Sequence, residues 1–260
     1  MKCCEVVLKL EELSPPMYAE EWDNVGLLIG RKEKNIKSIY LALDATDEVV
    51  EDAADKGVDL LITHHPLLFS PMKRICSDDF IGRRAIKLIS NDISYYAMHT
   101  NFDVMGMADA AADEIGLRNR QVLSITYEDE IAKEGFGRVG QLNRIMSLRE
   151  CAEYIKQKFH IPSVRVFGDL DATLEKAAIS PGSGKSMIDA AIESGAEVLI
   201  TGDIGHHEGI DAVAQGLMII DAGHFGIEQI FVSYMKEYIE REIPGLQVFT
   251  EVPKSPFVVL

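Results

Sequence analysis

Histidines and carboxylates gather at three places in this sequence, and each place follows an apolar segment. The first is Thr63-His64-His65-Pro66, at the carboxyl end of the run Val58–Thr63. A buried parallel strand reads as such a run, and α/β folds place ligands at that end. Side chains of neighbouring residues on an extended backbone point to opposite faces, so His64 and His65 do not easily chelate one ion but could flank a site and serve one ion each. The alternative is that one of them is a packed, hydrogen-bonded histidine. The second place is His99-Thr-Asn-Phe-Asp103, after the apolar segment Ile93–Met98. Four-residue spacing puts both side chains on one face if the segment is helical, although it suits a loop equally. Asp103 has two oxygens and could bridge two cations, or it could be an N-cap or loop acceptor.

The third place is Asp221-Ala-Gly-His224-Phe-Gly-Ile-Glu228. Ile227, Phe231, Tyr234, Met235 and Tyr238 form an apolar stripe at helical spacing. Glu228 lies three before Phe231 and seven before Met235, so it points toward the core, with His224 one turn earlier on the same side. A buried carboxylate is costly unless paired, and a metal ion or a basic side chain would pair it. Nitrogen and oxygen donors of this kind suit zinc, manganese, iron, cobalt or nickel. The set His64, His65, Asp103, His224 and Glu228 is too small to fill two coordination spheres. It leaves positions for water, as catalytic sites do.

The elements that must carry these residues alternate. Ser38–Leu43, Val58–Thr63, Ile93–Met98, Ala177–Ile179, Glu197–Thr201 and Leu217–Ile220 read as strands, with helical stretches between them. One helix is expected over Phe80–Asn91, and another opens on the capping box Ser147-x-x-Glu150. A long helix is expected from His224 to Glu240. The pattern predicts an α/β protein with mainly parallel sheets. Gly57-Val-Asp-Leu-Leu-Ile-Thr63 echoes Gly195-Ala-Glu-Val-Leu-Ile-Thr201, through duplication or through convergence of two buried strands. If duplication holds, two similar α/β lobes face a central metal-binding cleft. The stretch Leu123–Arg144 is polar and Gly-containing, so the lobes are expected at 1–124 and 125–260. The C-terminal helix could pack back on the first lobe.

Other features bound the function. The net charge of −16 disfavours general nucleic-acid binding, although bound cations could still admit a small anionic substrate. Four cysteines without paired spacing make neither a disulfide framework nor a zinc ribbon. No apolar run approaches the roughly 18 residues of a membrane span, and the early acidic residues do not fit a secretory signal, so a cytoplasmic location is expected. Ser180-Pro-Gly-Ser-Gly-Lys-Ser186 lacks the first glycine of a Walker loop, because position 179 is Ile. It could hold an anion at a helix N-terminus, or simply be a glycine-rich turn. His206 and His207 suit surface or supporting roles, and His207 could move a proton.

Together these segments resemble the GTP cyclohydrolase I type 2 homologues, also called the Ngg-one-interacting-factor-three-like family. The resemblance rests on Trp22-Asp-Asn-Val-Gly-Leu-Leu28, Ala42-Leu-Asp-Ala-Thr46, Leu60–Pro66, His99–Asp103, Ile200–Asp203 and Asp221–His224 with Glu228. It implies a two-lobed fold with two divalent metal ions held by His64, His65, Asp103, His224 and Glu228. It also implies a ring-like homohexamer and action on GTP. Two departures stand out: Pro-Gly-Ser-Gly where the family has a Gly-Ala-Gly-Gly stretch, and His206 where it has an aromatic. A metal-dependent hydrolase, with His99 or His207 moving protons, is then the leading expectation. A non-enzymatic metal-dependent scaffold or regulatory binding protein is the competing one.

Overall fold

A computed structural model describes residues 1–259 and divides the chain into two compact units. The first comprises Met1–Phe102 and Phe231–Pro253, and the second Asp103–Ile230 and Lys254–Leu260. In chain order the strands are β1 (Gly26–Ile29), β2 (Ser38–Ala42), β3 (Leu60–Thr63), β4 (Ser94–Ala97), β5 (Arg118–Glu128) and β6 (Lys133–Ser147). They continue with β7 (Arg165–Phe167), β8 (Thr173–Ser183), β9 (Val198–Gly202), β10 (Met218–Asp221) and β11 (Gln247–Thr250).

The sheet of the first unit runs β1-β4-β3-β2-β11, with β1 alone antiparallel. Helices Asp47–Asp55 and Phe80–Ser90 connect its parallel strands. Thr46 and Asp79 cap them by accepting from Val49 N and Gly82 N. Val49, Val50, Ala53 and Leu88 pack with Tyr40, Leu61 and Tyr95 on one sheet face. The alternate residues Ile39, Leu41, Leu60, Ile62 and Tyr96 are also fully buried, which is why β2 and β3 read as unbroken apolar runs. The helix Ile230–Glu242 is tied to Cys3–Leu13 where Tyr238 Oη donates to Lys9 O at 2.6 Å.

The sheet of the second unit runs β5-β6-β8-β9-β10-β7. Strands β8, β9 and β10 are parallel, and β7 is antiparallel to β10. The expected helix after Ser147 forms with both halves of its capping box made. Ile155, Phe159, Ile179, Ile200 and Ile220 pack on one face, and Ala178, Ala191, Leu199, Ala212 and Ile219 on the other.

Two findings differ from the sequence reading, and a third bears on the internal echo. The stretch Leu123–Arg144 does not separate two lobes: most of it is the antiparallel β5/β6 pair, whose glycines allow close approach. A Cβ on Gly135 would lie 1.9 Å from Ser124 O. The chain therefore divides at Phe102/Asp103, ahead of the expected position at 124/125. The expected helix from His224 breaks between Glu228 and Ile230, where Gln229 Nε2 donates to Phe159 O at 2.9 Å. Finally, the echo between Gly57–Thr63 and Gly195–Thr201 falls on topologically equivalent strands. β3 lies between its parallel neighbours β2 and β4, with antiparallel β1 beyond β4, and β9 lies between its parallel neighbours β8 and β10, with antiparallel β7 beyond β10.

Candidate functional site

In the first unit β3 stops at Thr63, so His64 and His65 lie in a bend rather than on extended backbone. Their rings consequently approach to 4.8 Å between centroids instead of diverging, contrary to the alternation expected of a strand. The bend is tied by Thr63 Oγ1, which donates to His65 O at 2.7 Å, and by Tyr95 Oη, which accepts from Leu67 N at 2.7 Å. Burial pushes the Tyr95 phenol up to about 12, against the opposing hydrogen bonds from Thr63 and Leu67. β4 delivers His99 to the same place. One ring nitrogen from each of His64, His65 and His99 lies within 4.8 Å of the others, close enough to hold a metal ion. His99, expected to move protons, thus stands among the candidate ligands.

The three imidazoles are oriented alike. His64 Nδ1 meets Met98 O at 2.8 Å, His65 Nδ1 meets Asp44 Oδ1 at 2.9 Å, and His99 Nδ1 meets Asp23 Oδ1 at 2.9 Å. Carbonyls and carboxylates only accept, so each Nδ1 carries a proton, and in the neutral ring the lone pair is on Nε2. Metal-ligating histidines are commonly set up this way. Burial would raise the Asp23 carboxyl, but hydrogen bonds from His99 and Thr100 outweigh it and hold the group at about 2.

In the second unit, β10 leads through Gly223 to a one-turn helix, His224–Glu228. His224 Nδ1 meets Asp203 Oδ2 at 2.8 Å, and Nε2 lies 3.0 Å from Glu228 Oε2. A lone pair on Nε2 cannot approach a carboxylate that closely without a proton or metal ion to offset the repulsion. Glu228 is 2% exposed, as its helical phase predicts. An oxygen of Asp103 also lies within 4.8 Å of one from Glu228, and two carboxylates at that range are offset by a shared proton or by a cation. Asp103 opens a π-helical turn, Asp103–Met107, a geometry frequent at functional sites. Arg138 from β6 holds this turn by donating to both oxygens of Asp109 and to Val104 O.

Two glycines let these loops close. Gly182, in the glycine-rich segment, has φ +74°, and a Cβ there would meet Glu228 Oε1 at 2.7 Å. A Cβ on Gly202 would meet His224 N at 2.4 Å. The supporting Asp23, Asp44 and Asp203 were not singled out by the sequence reading. Asp203 carries a signal of its own, a left-handed backbone at φ +57°, since non-glycine residues held there cluster at functional sites. His207 is exposed on the first turn of helix His206–Ala214, with its ring 5.2 Å from that of His206.

A two-unit α/β fold with histidines and carboxylates at its strand ends defines a candidate metal-binding protein. The family profile Duf34/NIF3 (NGG1p interacting factor 3) matches residues 1–256, and the chain belongs to that family. It is 36% identical over 261 residues to the GTP cyclohydrolase 1 type 2 homolog of Clostridium perfringens, covering 99% of each chain. It is 34% identical to the protein of the same name from Clostridium acetobutylicum, covering 94% of this chain and 91% of that one. Among solved structures, a Bacillus cereus protein related to NIF3 superposes with TM-score 0.90 at 26% identity, covering 100% of this chain and 99% of that one. Reduced HcgD from Methanocaldococcus jannaschii gives 0.83 at 33% identity, covering 96% and 97%. Among the described residues no helix is long and apolar enough to cross a membrane.

Proposed function

We propose that this chain is a metal-dependent hydrolase that binds two divalent metal ions through His64, His65, Asp103, His224 and Glu228. One observation carries the reading. Three imidazoles of that set, those of His64, His65 and His224, have Nδ1 held at 2.8 to 2.9 Å by a carboxylate or carbonyl. That arrangement fixes the tautomer that leaves Nε2 of each ring to serve as a metal ligand. The donor set is nitrogen and oxygen without sulfur, which suits zinc, iron, manganese, cobalt or nickel. Such ions, when bound, polarise a substrate oxygen and acidify water at neutral pH.

The chain's own groups supply the rest. Asp23 and Asp44 orient His99 and His65, and Asp203 orients His224. His99, with its Nδ1 proton bonded to Asp23, can accept a proton at Nε2 during reaction. His207 is a second proton carrier, as an exposed imidazole. The names of the curated relatives make GTP the first substrate to try. A homohexamer is the assembly that the family resemblance supports, and the cytoplasm is the location that the early acidic residues support.

The test is elemental analysis of protein purified without chelator, beside His64→Ala and Glu228→Ala. Roughly two ions per chain are expected, with a fall in both variants. No bound metal, and no uptake of zinc, manganese or iron, sinks the reading. Metal without turnover of GTP or phosphoesters favours the non-enzymatic scaffold instead. The supporting carboxylates give a second expectation. Asp203→Ala should weaken metal binding by about 10- to 100-fold, as loss of such partners does. Asp203→Asn, which keeps an acceptor and tolerates a left-handed backbone, should weaken it less. Equal affinities in a competition titration would show that Asp203 does not orient His224.

A further inference from the structure

Trp22 is the only tryptophan in the chain and is 57% exposed, which is unusual for so large an apolar group. Its neighbour Phe69 is 50% exposed. The two rings lie 5.6 Å apart at 42°, and both stand beside His99, at 6.0 Å and 6.2 Å between centroids. This pair is not a loose surface feature. Asp23, next to Trp22, is fully buried at its side chain and accepts from His99 Nδ1, from Thr100 N at 3.0 Å and from Thr100 Oγ1. Asn24 Nδ2 donates to Leu68 O at 2.5 Å, which locks the Trp22 loop to the residue preceding Phe69. The buried carboxylate that orients His99 thus anchors the loop of Trp22, and Asn24 ties that loop to the segment of Phe69.

Holding large aromatic surface in water is unfavourable, and here it is held rigidly next to a cluster of three imidazoles. We infer that Trp22 and Phe69 form a subsite that stacks a flat heteroaromatic ring, such as a purine base, and so positions substrate against His99. The rings are too close for a third to enter between them, so the ligand ring lies on an outer face, with Phe69 bracing Trp22. Rigid aromatics suit this because stacking needs a π face and no hydrogen-bond code. The assignment of the ring as substrate rests on the metal-site reading; the ring-binding site itself does not.

Because Trp22 is the sole tryptophan, its emission reports directly on the subsite. The experiment titrates metal-loaded and chelator-stripped protein with guanosine, adenosine and ribose 5-phosphate, and measures metal content on the same samples. Saturable quenching by both nucleosides and none by ribose 5-phosphate is expected. Equilibrium dialysis should show guanosine binding about tenfold weaker in Trp22→Ala, the change that a stacking contact of ~1.4 kcal/mol gives. Phe69→Ala should weaken it less, and Trp22→Phe should retain most of it. Metal content should stay at the wild-type level in all three. Quenching in a protein that binds no metal would leave the ring site standing and remove the hydrolase reading. Full metal content with no saturable quenching, or unchanged guanosine affinity in Trp22→Ala, would overturn the ring site alone. A change of oligomeric state in Trp22→Ala with unchanged guanosine binding would equally overturn it, by making the pair a subunit contact.

Discussion

Glu228→Gln should remove most of the metal-dependent stability of this protein while leaving the metal-free form at least as stable. Glu228 is almost fully buried and sits 3.0 Å from His224 Nε2, with an Asp103 oxygen within 4.8 Å. Without a cation the carboxylate adds negative charge to a dry, already acidic place. The glutamine amide has the same shape and can donate to the Nε2 lone pair, so the metal-free variant loses no stability. What it loses is an anionic ligand. A direct ligand matters at least as much as a supporting residue, so affinity should fall by about 100-fold or more. At a metal concentration of about 100 times the wild-type Kd, binding stabilises the native state by about 2.7 kcal/mol. A 100-fold weaker site at that concentration gives about 0.4 kcal/mol. For a chain of this size the first corresponds to a Tm gain of about 5–10 °C and the second to about 1 °C. Calorimetry with and without zinc or manganese reads both. An equal metal-induced gain in wild type and variant would remove Glu228 from the ligand set.

Glu228 was legible in the sequence because a single helix carries both its evidence and its neighbours. Ile227, Phe231 and Met235 fix the buried side, and the spacing places Glu228 on it. The middle strands β3 and β9 were legible for a similar reason: both faces are buried, so their apolar runs are continuous. The supporting carboxylates were not. Asp44 follows β2 and reaches a histidine that follows β3, and Asp203 follows β9 and reaches one that follows β10. Each pairing exists only once adjacent parallel strands are in register, and no window of sequence contains that information. The approach of His64 and His65 was misjudged because strand alternation was carried past Thr63, where the chain bends. The β5/β6 pair was hidden by Gly135, Gly137 and Gly140, which suggest a boundary but are required by close backbone contacts. The break at Gln229 depends on the carbonyl of Phe159, seventy residues away.

Gly182→Ala should impair metal binding although glycine offers no ligand, and Gly195→Ala supplies the control. Both glycines have a left-handed backbone, with φ +74° and +71°. Alanine at either position incurs the conformational penalty of that region, about 1–2 kcal/mol. The surroundings differ. At Gly195 the new Cβ meets only Lys176 Nζ, at 3.7 Å, and the lysine end can move. At Gly182 it meets Glu228 Oε1 at 2.7 Å, with His224 Cε1 at 3.8 Å. Glu228 is buried and held by the turn that carries it, so it cannot withdraw without losing its position relative to His224. The two variants should therefore show similar losses of stability from backbone strain. Only Gly182→Ala should lose metal affinity, by about 10- to 100-fold, the range for displaced supporting groups. Wild-type metal affinity in Gly182→Ala would mean that the glycine-rich segment is only a turn. A selective loss would show that it holds Glu228 where a metal ion needs it.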